Sequence, residues 1–200
     1  FTGVCHINTG IGIEETREFV RDTSTRYGWN LREYHPPETY ENLVIDQGFP
    51  GPAHHWKMFH RLKERSLRDI VRETRDPDDR RRKIVFISGR RKAESVRRMA
   101  NVDESIATNL PDPSPRIVWA NPLINWTTDN KFEYIASHDL KTNPVVETLC
   151  MSGECLCGAF AHPGELEEIR MFYPAAAAEI DRISAKVKEA GKHCVWGTRP

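Results

Sequence analysis

The chain has 200 residues, 38% of them hydrophobic, and its 29 basic and 29 acidic side chains cancel. That length suits one compact domain, with or without an appendage, and the even charge excludes a global demand for nucleic acid or an acidic surface. No run approaches the ~18 apolar residues of a membrane span, and FTGVCHINTG lacks the layout of a secretory signal, so no membrane partner is expected.

In chain order, GVCHINTG reads as a buried strand stopped by Gly10 and Gly12, with Cys5 as a core residue. EETREFVRDTSTRYG places Thr16, Phe19, Val20, Thr23 and Tyr27 at helical spacing, with Gly28 at the stop. NLREYHP reads as a second strand ended by Pro36 and Pro37, and a loop then runs to Pro52. From Ala53 to Thr74 a long helix is expected, with Trp56, Phe59, Leu67, Ile70 and Val71 near one face. KIVFISG, residues 83 to 89, has the composition of a fully buried parallel strand, and RKAESVRRMA that of the helix after it.

RIVWANP reads as a further strand, and Thr127 or Thr128 caps a helix carrying Phe132, Tyr134 and Ile135. GELEEIRMFY and AAAAEIDRISAKVKEAG read as two helices broken at Pro174, the second with Ile180, Ile183 and Val187 inward. Alternating strands and helices imply an α/β fold, an open and mainly parallel sheet with helices on both faces, followed by a helical C-terminal extension. The expected division is 1–162 and 163–200.

Two features carry chemistry. Between Arg61 and Arg98 there are 15 basic against seven acidic residues, either a solvated ion-paired face or a phosphate-binding surface open to a nucleic acid. Arg90, Arg91 and Lys92 follow KIVFISG at the carboxyl edge of a sheet, where open α/β folds bind ligands and guanidinium groups grip anions; pairing of Glu94 with these arginines is the structural alternative. His54, His55 and His60 read as surface or phosphate-contacting residues.

The second feature is CMSGECLCGAF, with Cys150, Cys155 and Cys157 flanked by Gly153 and Gly158; Cys194 lies in HCVWG. Four thiolates complete the shell of a [4Fe–4S] cluster or a zinc ion, and the spacing departs from the paired knuckles of a zinc ribbon, which favours iron and sulfur. A redox or nucleophilic thiol and plain core packing are the alternatives. Five cysteines, three of them clustered, fit a reducing compartment, so a cytoplasmic location is expected.

Several pieces together resemble the phosphoadenosine phosphosulfate (PAPS) reductase family, within the adenine-nucleotide alpha-hydrolase-like fold. NTGIGIEETREFV is similar to its aspartate-threonine-glycine turn and helix, with Asn8 in place of the aspartate. GRRKAESVRR resembles its glycine, arginine, glutamate-serine, arginine motif through Gly89, Arg91, Glu94, Ser95 and Arg98. NPLINWTTDNKFEYI and GFPGPAHHW with Leu62-Lys63 resemble two further segments, and the likeness covers most of residues 1 to 160. It implies a preceding strand and serine-glycine-glycine loop ahead of Phe1, so the sequence is expected to be part of a longer protein.

The resemblance implies an enzyme of sulfur metabolism that binds an adenine nucleotide, PAPS or ATP with magnesium, through Thr9, Gly10, Arg91, Glu94, Ser95 and Arg98. A sulfonucleotide reductase with a donor such as thioredoxin is the leading expectation. The alternatives are an ATP-dependent enzyme inserting sulfur into a nucleic acid and a noncatalytic nucleotide- or cluster-binding subunit. The family's nucleophile lies in a glutamate-cysteine-glycine-leucine-histidine motif, loosely echoed by Glu154-Cys155-Leu156-Cys157-Gly158.

Overall fold

The computed structural model describes residues 2–79, 81–94, 106–107 and 117–197. They form two compact units, one of Phe1–Ile70 with Thr142–Pro200 and the other of Val71–Lys141. The C-terminal helices belong to the first unit.

In the first unit, β1 (Val4–Ile7) pairs in parallel with β2 (Leu31–Tyr34), and α1 (Glu14–Arg26) connects them. Tyr27, which follows the last residue of α1, is exposed and stacks on Trp29 with ring centroids 5.1 Å apart. In β1 the two-residue alternation buries His6 and leaves Cys5 exposed, the reverse of the expected core cysteine.

The stretch read as loop before Pro52 contains α2 (Tyr40–Gln47). Thr39 caps it by accepting a hydrogen bond from the Asn42 N–H at 3.2 Å, and Gly48 ends it at φ 81°. The expected long helix is a continuous helical path in pieces: a 3₁₀ turn at Pro52–His54, α3 (His55–Phe59), a π turn at His60–Glu64, and α4 (Arg65–Thr74). The wide turn lengthens the repeat, so Met58, Leu62, Ser66 and Ile70 are buried at four-residue spacing. Trp56 and Phe59 lie off that stripe and are 63% and 44% exposed, against expectation.

The other half of this core comes from α6 (Pro144–Leu149), α7 (Glu165–Phe172) and α8 (Pro174–Glu189), numbered after α5 (Thr128–Ser137) of the second unit. Ala177, Ile180, Ile183 and Val187 of α8 share one core with Ile13, Leu43 and Val145. Each buried Ile, Leu or Val side chain among them contributes about 1.5–3 kcal/mol.

At the rim, Glu41 of α2 receives Arg182 at 2.7 Å and Lys186 at 2.6 Å from α8. These hydrogen bonds depress its carboxyl from 4.5 to about 2. A depressed carboxylate stabilises the fold above its unfolded value, and the contribution is lost as pH falls toward 2. Glu41→Gln is therefore expected to lower the thermal midpoint by about 2 °C at neutral pH, with native and variant converging as the melting series approaches pH 2.

The second unit holds β3 (Ile84–Ile87), β4 (Ile106–Ala107) and β5 (Ile117–Ala120) in the order β3-β5-β4, the first pair parallel and the second antiparallel. Parallel pairing of short strands between helices is the α/β class expected. β3 was expected to be fully buried, but Val85 and Ile87 are 55% and 66% exposed, so one of its faces is open. α5 (Thr128–Ser137) starts as expected at a capping box, Thr127 and Asn130 each bonding the other's backbone N–H at 3.1 Å. Only the opening turn of the helix expected after KIVFISG, Lys92–Glu94, lies within the described residues. No helix among the described residues is long and apolar enough to cross a membrane.

Candidate functional site

The cysteine loop is built on the turn that follows β1. Asn8 Oδ1 accepts the Gly10 N–H at 3.0 Å while Gly10 takes φ 79°, which turns the chain sharply. Residues 11–13 then run beside the loop, with Ile13 N–H donating to the Gly153 carbonyl at 2.8 Å and Leu156 N–H to the Ile11 carbonyl at 3.0 Å. Thr16 donates to the Ser152 carbonyl, which also accepts from Asn143 Nδ2 at 3.3 Å. The two segments lie so close that a Cβ on Gly12 would stand 2.6 Å from the Glu154 carbonyl oxygen. Gly153, at φ 63°, is enclosed by Val145 and Ile13.

This lacing presents two sulfurs at one point. Cys155 is half-buried and Cys157 is buried. The Cys157 thiol hydrogen-bonds the Cys155 sulfur, which is the largest influence holding the Cys155 thiol below its ordinary value; Lys63 and a hydrogen bond from Thr9 add to it. The same bond and burial push Cys157 up, so the pair behaves as one thiolate and one thiol. Lys63 is held by Glu154, Nζ to Oε2 at 3.1 Å, and the other Glu154 oxygen lies 4.0 Å from His6 Nε2. His6 is depressed chiefly by burial, and its Nδ1 has no hydrogen-bond partner among the described residues.

The backbone behind the sulfurs is fixed by two buried aromatic donors. Tyr40 OH donates to the Cys157 carbonyl at 3.1 Å and Trp196 Nε1 to the Leu156 carbonyl at 2.9 Å. A Cβ on Gly158, at φ 77°, would stand 2.8 Å from Trp196 Nε1.

The four cysteines expected to share one metal are not brought together. Cys150 ends α6 in a left-handed conformation and is exposed, while Cys194 is half-buried against the core. Among the described residues no group of three or more His, Cys, Asp or Glu side chains is placed to hold a metal ion. The donor set therefore does not fit a [4Fe–4S] cluster or a four-ligand zinc site as it stands.

Of the expected nucleotide residues, Thr9 is fully buried, its hydroxyl donating to the Ile11 carbonyl at 3.1 Å and facing the cysteine loop, whereas Gly10 is exposed. Arg91 lies in the second unit and is 6% exposed; its Nε meets Glu94 Oε1 and its Nη1 the Thr127 carbonyl, both at 3.0 Å. The pairing with Glu94 is the structural alternative weighed above. Ser95 and Arg98 lie outside the described residues. In the same unit Asn121 is fully buried, and neither amide atom has a hydrogen-bond partner among the described residues. Along the basic stretch, Arg61, Lys63, Arg68, Arg82 and Arg91 each meet a carboxylate. His60 lies 3.9 Å from Glu64, and the His55 ring packs on Phe160.

His6, Tyr40, Lys63 and Trp196 belong to the site but were not singled out from the sequence. The one available signal was Leu62-Lys63 in the segment resembling the family, which marks Lys63 without saying what it faces. Removing this cation shrinks the thiolate fraction of Cys155 at neutral pH. Lys63→Gln is expected to slow alkylation of Cys155 by iodoacetamide about threefold to tenfold at pH 7, with the gap closing at alkaline pH.

A family model, Phosphoadenosine phosphosulfate reductase domain, matches residues 2–156. An adenosine 5'-phosphosulfate reductase of Burkholderia cepacia is 24% identical over 148 residues, which cover 72% of this chain and 54% of that protein. An uncharacterized 37.8 kDa protein in the gpa 5' region of Escherichia phage 186 is 30% identical over 135 residues, covering 65% of this chain and 38% of that one. The chain thus spans about half, or less, of the length of these curated relatives. Among solved structures, a phosphoadenylyl-sulfate (PAPS) reductase from Candida auris, in a phosphate complex, superposes with a TM-score of 0.52 at 20% identity, covering 72% of this chain and 64% of that one.

Proposed function

Since the chain belongs to the phosphoadenosine phosphosulfate reductase domain family, we propose that it is a sulfonucleotide reductase in which Cys155 is the attacking thiolate. The observation that carries the reading is the sulfur pair itself: half-buried Cys155 stands two residues from buried Cys157, and Cys157 and the nearby Lys63 charge hold its thiol below the ordinary value. A thiolate is the reactive form of cysteine, and nearby donors and cations keep it available at neutral pH.

The thiolate attacks the sulfonate sulfur of an adenosine phosphosulfate. A bond forms between the two sulfurs, the bond from sulfonate sulfur to phosphate oxygen breaks, and the nucleotide leaves with that electron pair as a phosphate. Lys63 offsets negative charge gathering beside the loop, and Glu154 keeps Lys63 in place. Tyr40 and Trp196 hold the backbone so that Cys155 does not retreat during the attack. In the second unit Arg91 ties the Lys92–Glu94 turn to the start of α5, shaping the segment expected to meet the nucleotide.

The test is sulfite production from adenosine 5'-phosphosulfate and from PAPS with reduced thioredoxin or dithiothreitol as the dithiol. Dithiol-dependent sulfite from either one supports the reading, and none from both overturns it. A second reading of the same loop, a cysteine-held [4Fe–4S] or zinc centre, is favoured by one observation: Trp196 seats the segment carrying Cys194 on Leu156 and Gly158. It requires Cys150 to turn inward from its exposed position. Iron and zinc analysis of protein purified without oxygen decides it, with stoichiometric metal supporting the centre and metal-free protein with titratable thiols removing it.

A further inference from the structure

Cys157 has no task in the attack described above, yet it lies two residues from Cys155 in the same glycine-bounded loop. Cys155 is half-buried while Cys157 is only 9% exposed and Leu156 only 2%, all packed on one core, and each thiol shifts the protonation of the other as neighbours do. Residues two apart hold their α-carbons within about 7 Å, and a disulfide bridges α-carbons about 4.4–6.8 Å apart. A reagent arriving from solvent therefore meets Cys155 first, with Cys157 behind it. The carbonyls of Leu156 and Cys157 are pinned by Trp196 and Tyr40, so the two sulfurs stay together. The other cysteines of the expected set are placed differently: Cys150 is exposed at the end of α6, and Cys194 is in a separate segment.

We propose that Cys157 is a resolving thiol, which releases whatever group Cys155 has acquired by forming a Cys155–Cys157 disulfide. For sulfonucleotide reduction this inference rests on the reading of Cys155 as the nucleophile. Once Cys155 carries the sulfonate, Cys157 loses its proton to water and its sulfur attacks the Cys155 sulfur. The new disulfide bond forms, the bond from Cys155 to the sulfonate breaks, and sulfite leaves with the bonding pair. The sulfonate sulfur gains two electrons and the two thiols lose two. An external dithiol then reduces the disulfide, a step favoured by the strain of so short a ring.

The experiment uses the reduced protein and oxidised glutathione, without any sulfonucleotide. After an acid quench and alkylation, mass spectrometry of the peptide bearing both cysteines is expected to show a Cys155–Cys157 disulfide and no retained glutathione. In Cys157→Ala the glutathione is expected to remain on Cys155. Glutathione retained on Cys155 of the native chain, a disulfide from Cys155 to Cys150 or Cys194, or an untouched Cys155 overturns the proposal, and the native chain decides even if the variant fails to fold. A native chain that forms the disulfide yet yields no sulfite from either sulfonucleotide keeps the resolving pair and rejects the reductase reading.

Discussion

Cys155→Ser is expected to lower dithiol-dependent sulfite release by at least about a thousandfold, because a serine hydroxyl at neutral pH is a far weaker nucleophile than a thiolate. The fold is expected to survive, since the side chain is half-buried and serine retains the small shape. Thermal melting and sulfite release measured on the same preparation separate the two effects. A variant that melts with the native protein and is inactive assigns the loss to chemistry. An active Cys155→Ser variant rejects Cys155 as the nucleophile.

Trp196→Ala has the largest expected effect on stability. The indole is 7% exposed within the core, its ring lies against Gly158, and its N–H is bonded to the Leu156 carbonyl. Truncating a buried tryptophan costs about 3–5 kcal/mol through lost burial and the cavity left behind. The Leu156 carbonyl also loses its donor. Trp196→Phe keeps most of the ring and gives up one hydrogen bond, so its cost is expected near 1 kcal/mol. Denaturant titration of both variants checks the ranking. Because the ring pins the loop that holds the sulfurs, Trp196→Ala is also expected to expose the buried Cys157 to alkylation below its unfolding midpoint, whereas Trp196→Phe leaves it protected.

Elements with a sustained repeat were legible in the sequence. The inward face of α8 follows from Ile180, Ile183 and Val187, and the Thr127 cap marks the start of α5. Shorter elements were not. α2 has barely two turns, and Pro36, Pro37 and Gly48 around it read as loop, although Thr39 followed by Tyr40, Leu43 and Val44 held its cap and its face. A four-residue strand gives too few alternations to choose between Cys5 and His6. The π turn that turns Trp56 and Phe59 outward has no periodic signal of its own.

The same contrast holds within the site. Glycines and cysteines crowded at 153–158 mark a tightly folded thiol loop, and the structure brings Cys155 and Cys157 together there. Lys63, Tyr40 and Trp196 reach that loop from distant parts of the chain, and contacts of that kind leave no local pattern. Nearness in sequence does not say how Cys150 is oriented: at the left-handed end of α6 that residue is exposed.

The most direct test of Cys155 as the attacking thiolate is transfer of radiosulfur from labelled sulfonucleotide to the Cys157→Ala protein in the absence of any dithiol. The account predicts label in stoichiometric yield on the peptide that carries Cys155, stable until a dithiol is added and then released as sulfite. Label on any other cysteine, or intact sulfonucleotide beside an unmodified and folded protein, would contradict it.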